Sequence, residues 1–127
     1  MDITEKLNHL KSHYKMILPK DYEDFVKGIQ FFDYSDSVIK ANGLEIELNH
    51  LLLVDEKFPS RDVQRWYFYA EEERKDYLTI AMGYGNEEIA IKVKGDGLGG
   101  IYYIDQTEEV IIKKLFDNFN DFKKQLK

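Results

Sequence analysis

Cysteine is absent from the 127 residues. Its absence excludes disulfides, thiolate nucleophiles and cysteine-ligated zinc. Proline occurs only twice, and there is no linker-like stretch and no internal repeat, so a single domain over 1–127 is predicted. No apolar run approaches membrane-spanning length. The chain does not open on a basic segment followed by an apolar one, which predicts no signal peptide and a cytoplasmic location. A basic stripe is also missing. The formal charge is −6, and ten acids stand against four bases between residues 71 and 109, while residues 1–70 carry −3 and residues 110–127 carry +3. Nucleic-acid binders concentrate Lys and Arg along one face, so no direct nucleic-acid partner is expected. An acidic surface instead attracts a basic protein and speeds the encounter.

What is present suits a packed core. Hydrophobic residues make up 43% of the chain and aromatics 14%, a globular composition at a length that can bury a core. Ile3, Leu7, Leu10, Tyr14 and Ile17 recur at helical spacing, with Asp2 as a cap and Glu5 three residues on. Pro19 opens a second helix in its first turn, with Tyr22, Phe25, Val26 and Ile29 on one face and Gly28 near its end. Residues 33–37 read as a loop and Asn42-Gly43 as a turn. Leu44–Leu48 alternates like a half-buried strand, and 51–54 is extended. Residues 60–74 are open between two readings. Ser60 could cap a helix presenting Val63, Trp66, Tyr67 and Ala70, whereas Trp66-Tyr67-Phe68-Tyr69 favours a strand by residue type. Strands follow at 77–82, 88–93 and 101–104. Residues 110–112 are either a short strand or helix, and a last helix carries Phe119, Phe122 and Leu126, capped by Asn118. The fold class predicted is α+β: a β-sheet meander, antiparallel or mixed, with helices from both chain ends packed on one side.

Gly95–Gly100 matches G-x-G-x-x-G, a phosphate-binding fingerprint when a strand enters and a helix leaves. Here Ile101-Tyr102-Tyr103-Ile104 leaves, so the glycines are predicted to turn a hairpin. Other chemistry is equally thin. His9 and His13 have i, i+4 spacing but no third ligand in view. The carboxylate runs 71–73, 87–88 and 108–109 point apart or into solvent, and the serines lack a nucleophile elbow. No catalytic residue, metal or cofactor is assigned. The aromatic run 66–69 cannot be buried whole on either periodicity, so part of it reaches the surface, where Trp and Tyr serve as interface anchors.

Five stretches, in order, resemble the SUKH superfamily, also called the Smi1/Knr4 family: "LPKDYEDFV" at 18–26, "LLLVDE" at 51–56, "LTIAMGYGNEEIAIKV" at 78–93, "GGIYYID" at 99–105 and "LFDNFNDFKKQL" at 115–126. Three features depart from the pattern. Lys27-Gly28-Ile29 stands where Asn-Gly-Gly is common, Asn118 replaces a Ser, and 57–76 has no counterpart. The resemblance implies a non-enzymatic domain without cofactor, of the bacterial immunity-protein type, which blocks a polymorphic toxin such as a nuclease by binding it. Fungal members imply an alternative, an intracellular regulatory or scaffold protein. A small-molecule binder or hydrolase using the open sheet face is a third reading. Combined with the charge pattern, the expected partner is a basic toxin domain. The expected contact residues are Trp66, Tyr69, Glu71, Glu72, Glu73, Glu87 and Glu88.

Overall fold

The computed structural model describes residues 2–28, 34, 36–54, 62–68, 70, 72–105 and 111–127. Helix α1 (Ile3–His13) opens as predicted, with the Asp2 carboxylate accepting the Glu5 N–H at 2.8 Å. Such a bond satisfies one of the donors that every helix start leaves unpaired. Leu7 and Leu10 are buried. The helix then stops earlier than the periodicity suggests. Lys15 turns left-handed (φ 61°), and the next residues are extended, so the side-chain period changes from 3.6 to 2. Met16 and Leu18 point inward while Ile17 is 59% exposed. The placement of Ile17 on the helix's apolar face is thus corrected, and its backbone N–H bonds to the Val93 carbonyl. Pro19 is the N-cap of α2 (Lys20–Lys27), one position before the first helical residue. Tyr22 and Val26 are buried along that helix. Ile29, Asp33, Ser35 and Ser60 lie outside the described residues.

Among the described residues, six strands form one antiparallel sheet in chain order: β1 (Val38–Ala41), β2 (Leu44–Leu51), β3 (Tyr77–Gly83), β4 (Glu87–Lys92), β5 (Ile101–Asp105) and β6 (Ile111–Phe116). Each strand pairs with the next one in sequence, so the sheet is a meander with β1 and β6 at its edges. Sequence patterning assigns nothing to β1, whose four residues are too few to show alternation. The Asn42-Gly43 turn is what places it: both residues have positive φ (51° and 77°), the backbone of a tight two-residue hairpin. The open choice at 60–74 resolves as a short helix, α3 (Val63–Phe68), followed by a 3-10 turn at Glu72–Arg74. The choice near 111 resolves as strand β6. Helix α4 (Phe119–Lys123) is capped by Asn118, whose Oδ1 accepts the Asp121 N–H at 3.0 Å.

The loop 94–100 is the predicted hairpin connection, since Ile91 pairs with Ile101 across it and a strand follows. Gly97 is needed there twice over. Its φ is 81°, and a Cβ would sit 2.7 Å from the Tyr102 hydroxyl. The glycines therefore serve chain reversal and a close side-chain approach.

Alternation divides the sheet into two faces. Ile39, Ile46, Leu48, Leu78, Ile80, Ile89, Ile91 and Ile101 join Leu7, Leu10, Tyr22, Val26, Phe119 and Phe122 in one core. That is the helix-covered side the sequence implies. The other face carries Tyr77, Thr79, Glu88, Ala90, Lys92 and Tyr102, as the pairings Tyr77–Lys92 and Thr79–Ala90–Tyr102 require. Here Lys92 lies 4.4 Å from the centre of the Tyr77 ring, and Tyr77 meets Tyr102 edge-on at 5.4 Å. Segment 72–76 also reaches this face. Arg74 Nη2 donates to Glu88 Oε1 at 3.1 Å, and the Thr79 hydroxyl donates to the same oxygen at 2.8 Å.

Candidate partner-binding surface

Adjacent residues on a strand point to opposite faces, and this separates Glu87 from Glu88. Glu88 is engaged internally with Arg74 and Thr79, and its side chain is only 12% exposed. Glu87 lies on the other face, where the pairing register sets it directly opposite Asp105 on β5. Tyr103, two residues before Asp105, shares that face. Its hydroxyl donates to Asp105 Oδ2 at 3.0 Å and lies 3.5 Å from Glu87 Oε2. Glu47 on β2 adds a third negative charge nearby.

The electrostatics follow from that crowding. Burial raises the Glu87 carboxyl above the ordinary carboxylate range, and the charges of Asp105 and Glu47 push the same way, against a hydrogen bond from Tyr103. Burial is also the main reason that the Tyr103 phenol is pushed up to about 12, helped by its bond to Asp105 and by both carboxylates. Gly83 makes room for the arrangement, since a Cβ there would lie 3.0 Å from Glu87 Cβ and 3.3 Å from the Glu47 carbonyl oxygen. Beside it, Tyr84 stands 53% exposed in the β3–β4 turn.

Directly opposed like charges on neighbouring strands cost stability, by about 0.2–1 kcal/mol. The Glu87→Gln variant should therefore melt slightly above the parent chain at neutral pH. The sign follows from linkage: a carboxyl raised in the folded state binds protons more tightly there, so the folded state loses stability as pH rises through its titration. The variant's advantage should accordingly fade as the pH falls below the carboxylate range. Paired melting curves at neutral and acid pH check this. An advantage that stays constant with pH would rule out repulsion as its source.

The other expected contact residues fall into place differently. Trp66, on α3, is 38% exposed, whereas its neighbour Tyr67 is 2% exposed. The Tyr67 hydroxyl donates to the Lys75 carbonyl at 2.8 Å, the Lys75 ammonium donates to the Tyr67 carbonyl, and that ammonium lies 4.5 Å from the ring centre. The aromatic run thus divides between surface and core, as its spacing demands. Glu72 is exposed in the 3-10 turn. Tyr69, Glu71 and the side chain of Glu73 lie outside the described residues, as do Glu108, Glu109 and Val110.

Glu47, Tyr84, Tyr103 and Asp105 are the members that sequence reasoning misses. Asp105 was within reach: once the glycine loop closes a hairpin with Ile91 opposite Ile101, counting outward brings Glu87 against Asp105. Glu47 comes from a strand distant in sequence, and no local pattern signals it.

His9 and His13 lie together on α1. The His9 and His13 rings stack at 4.8 Å, and Tyr14 packs edge-on against both. Among the described residues no group of three or more His, Asp or Glu side chains could hold a metal ion. Among them, too, no helix is long and apolar enough to cross a membrane.

No family model matches the chain, and neither the curated proteins nor the solved structures contain a match.

Proposed function

We propose that this chain is a non-enzymatic protein-binding domain of the immunity-protein type, which neutralises a basic toxin by covering its cationic surface. The observation that carries the reading is the opposed Glu87–Asp105 pair, with Glu47 beside it and Tyr103 between. Packing of the sheet does not require two acids opposite each other. A lysine or arginine from a partner would relieve the repulsion, and the relief would add to binding free energy. Long-range attraction from the acidic half of the chain would raise the association rate. Tyr84, and Trp66 on α3, offer exposed aromatic rings of the kind that anchor interfaces. The order of the five sequence motifs supports the same reading. The toxin itself, and a nuclease activity for it, are part of the proposal.

Affinity capture from the source organism's lysate tests this, using the parent chain and the Glu87→Gln/Asp105→Asn double variant at low and high salt. The expected result is a basic protein held by the parent chain at low salt and released by salt or by the double substitution. Capture of the same protein, equally well, by the variant would remove the acidic end from the interface. A specific partner without basic character would favour a regulatory or scaffold role instead.

A further inference from the structure

The edges of an open sheet present unpaired backbone groups that invite another strand. In this chain each edge receives side-chain hydrogen bonding from a remote part of the sequence. On β6, the Lys114 carbonyl accepts a hydrogen bond from Asn42 Nδ2 at 3.0 Å, donated by the β1–β2 turn. On β1 the closure is more complete. Gln125, just past α4, accepts the Lys40 N–H on its Oε1 at 2.7 Å and donates from Nε2 to the Lys40 carbonyl at 3.0 Å. Its carboxamide makes the two bonds that a residue of a seventh strand would make. Two residues on, the Lys127 N–H donates to the Ser37 hydroxyl oxygen at 2.7 Å, and Ser37 is fully buried.

We infer that Gln125 is a surrogate strand residue that seals β1, and that an unsealed β1 pairs with β1 of a second copy of this chain. The short strand is self-complementary. Lys40 turns its N–H and carbonyl outward, and by alternation Val38 does too. An antiparallel pairing of two copies about Ile39 would then set Val38 opposite Lys40 of the second copy, and Ile39 opposite its own counterpart. On the solvent side, each row across the seam would read Glu47, Val38, then Lys40 and Glu45 of the second copy. Acid, apolar, base and acid follow one another, and no like charges are adjacent. The Lys40–Glu45 end of that row already exists within one copy, at 4.0 Å. A strand edge with this register and charge order fits a second copy better than a partner of either net sign.

The test uses the full chain with Gln125→Ala, followed by amide hydrogen exchange and sedimentation. At concentrations too low for pairing, Lys40 should exchange roughly tenfold faster, the factor expected for losing about one net hydrogen bond. Sedimentation should show a concentration-dependent dimer where the parent chain gives a monomer. Gln125→Glu, which keeps the acceptor for the Lys40 N–H and loses the donor to its carbonyl, should give a smaller shift in the same direction. Adding Lys40→Pro to Gln125→Ala should restore the monomer. The Lys40 N–H points away from β2, so proline there removes no bond of the ladder but blocks a new one. Unchanged exchange at Lys40 would overturn the sealing role. Fast exchange with a monomer at every attainable concentration would overturn the second-copy pairing. A dimer that survives Lys40→Pro would do the same.

Discussion

Glu88→Ala is expected to cost about 3–5 kcal/mol, because it strands a buried charge. Arg74 is 6% exposed in its side chain and Glu88 12%. Each ion has given up most of its hydration, and their attraction together with the Thr79 bond compensates. Removing the carboxylate leaves the guanidinium dry and without this counter-charge, with its Nε already lacking a hydrogen-bond partner among the described residues. A domain of this size has a total stability of about 5–15 kcal/mol, so the variant should lose about a fifth of it or more. Arg74→Met should also destabilise the protein, because it removes the same ion pair from its other side. The Arg74→Met/Glu88→Leu double variant should recover most of either loss, since an apolar pair of similar volume needs no compensation. Denaturant melts of the four proteins close the cycle. A single-variant loss below about 1 kcal/mol would mean that water reaches the pair and that it behaves as an ordinary surface ion pair.

That pair also marks where sequence reasoning stops. The elements with strong local signals are legible: α1 from Asp2 and its apolar spacing, the turn at Asn42-Gly43, the hairpin at the 94–100 glycines, and α4 from Asn118. Where the reading failed, a backbone event hid from composition. Lys15 adopts a left-handed φ without being glycine, and it ends α1 before Ile17. The acidic end was half legible. Local charge points to Glu87 and Glu88 alike, although alternation sends them to opposite faces. The partner of Glu88 is Arg74, an arginine whose tertiary contact no local pattern announces. Glu47 and Gln125 act across the fold at long sequence separation, and such contacts are decided by how the sheet closes, not by neighbours in the chain.

Tyr22→Phe should stabilise the protein, by about 1 kcal/mol or somewhat more, because it deletes a buried hydroxyl that has no partner. The ring itself is well placed. It meets Phe119 edge-on at 5.3 Å, and phenylalanine keeps that contact. The oxygen is the liability: it is buried, and among the described residues nothing hydrogen-bonds to it. The adjoining cavity, about 10 Å³, is lined by apolar side chains that include Val26, Leu51, Phe119 and Phe122. A water placed there would lack the two or more polar partners that hold internal waters. The same burial pushes the Tyr22 phenol well above its ordinary value near 10, with the Asp62 charge adding to the effect. A group whose folded pKa is raised contributes stability that is complete below its unfolded value and is lost as the pH climbs toward its folded one. The parent chain should therefore weaken above about pH 10, through Tyr22 and through Tyr103. In Tyr22→Phe that decline should be shallower, and Tyr103, at about 12, should account for what is left. Urea melts at neutral pH and above pH 10 separate the two effects. A neutral-pH loss of stability would show that the hydroxyl finds a partner in solution. An unchanged alkaline slope would show that the Tyr22 phenol titrates alike in the folded and the unfolded chain, and would overturn the effect of burial.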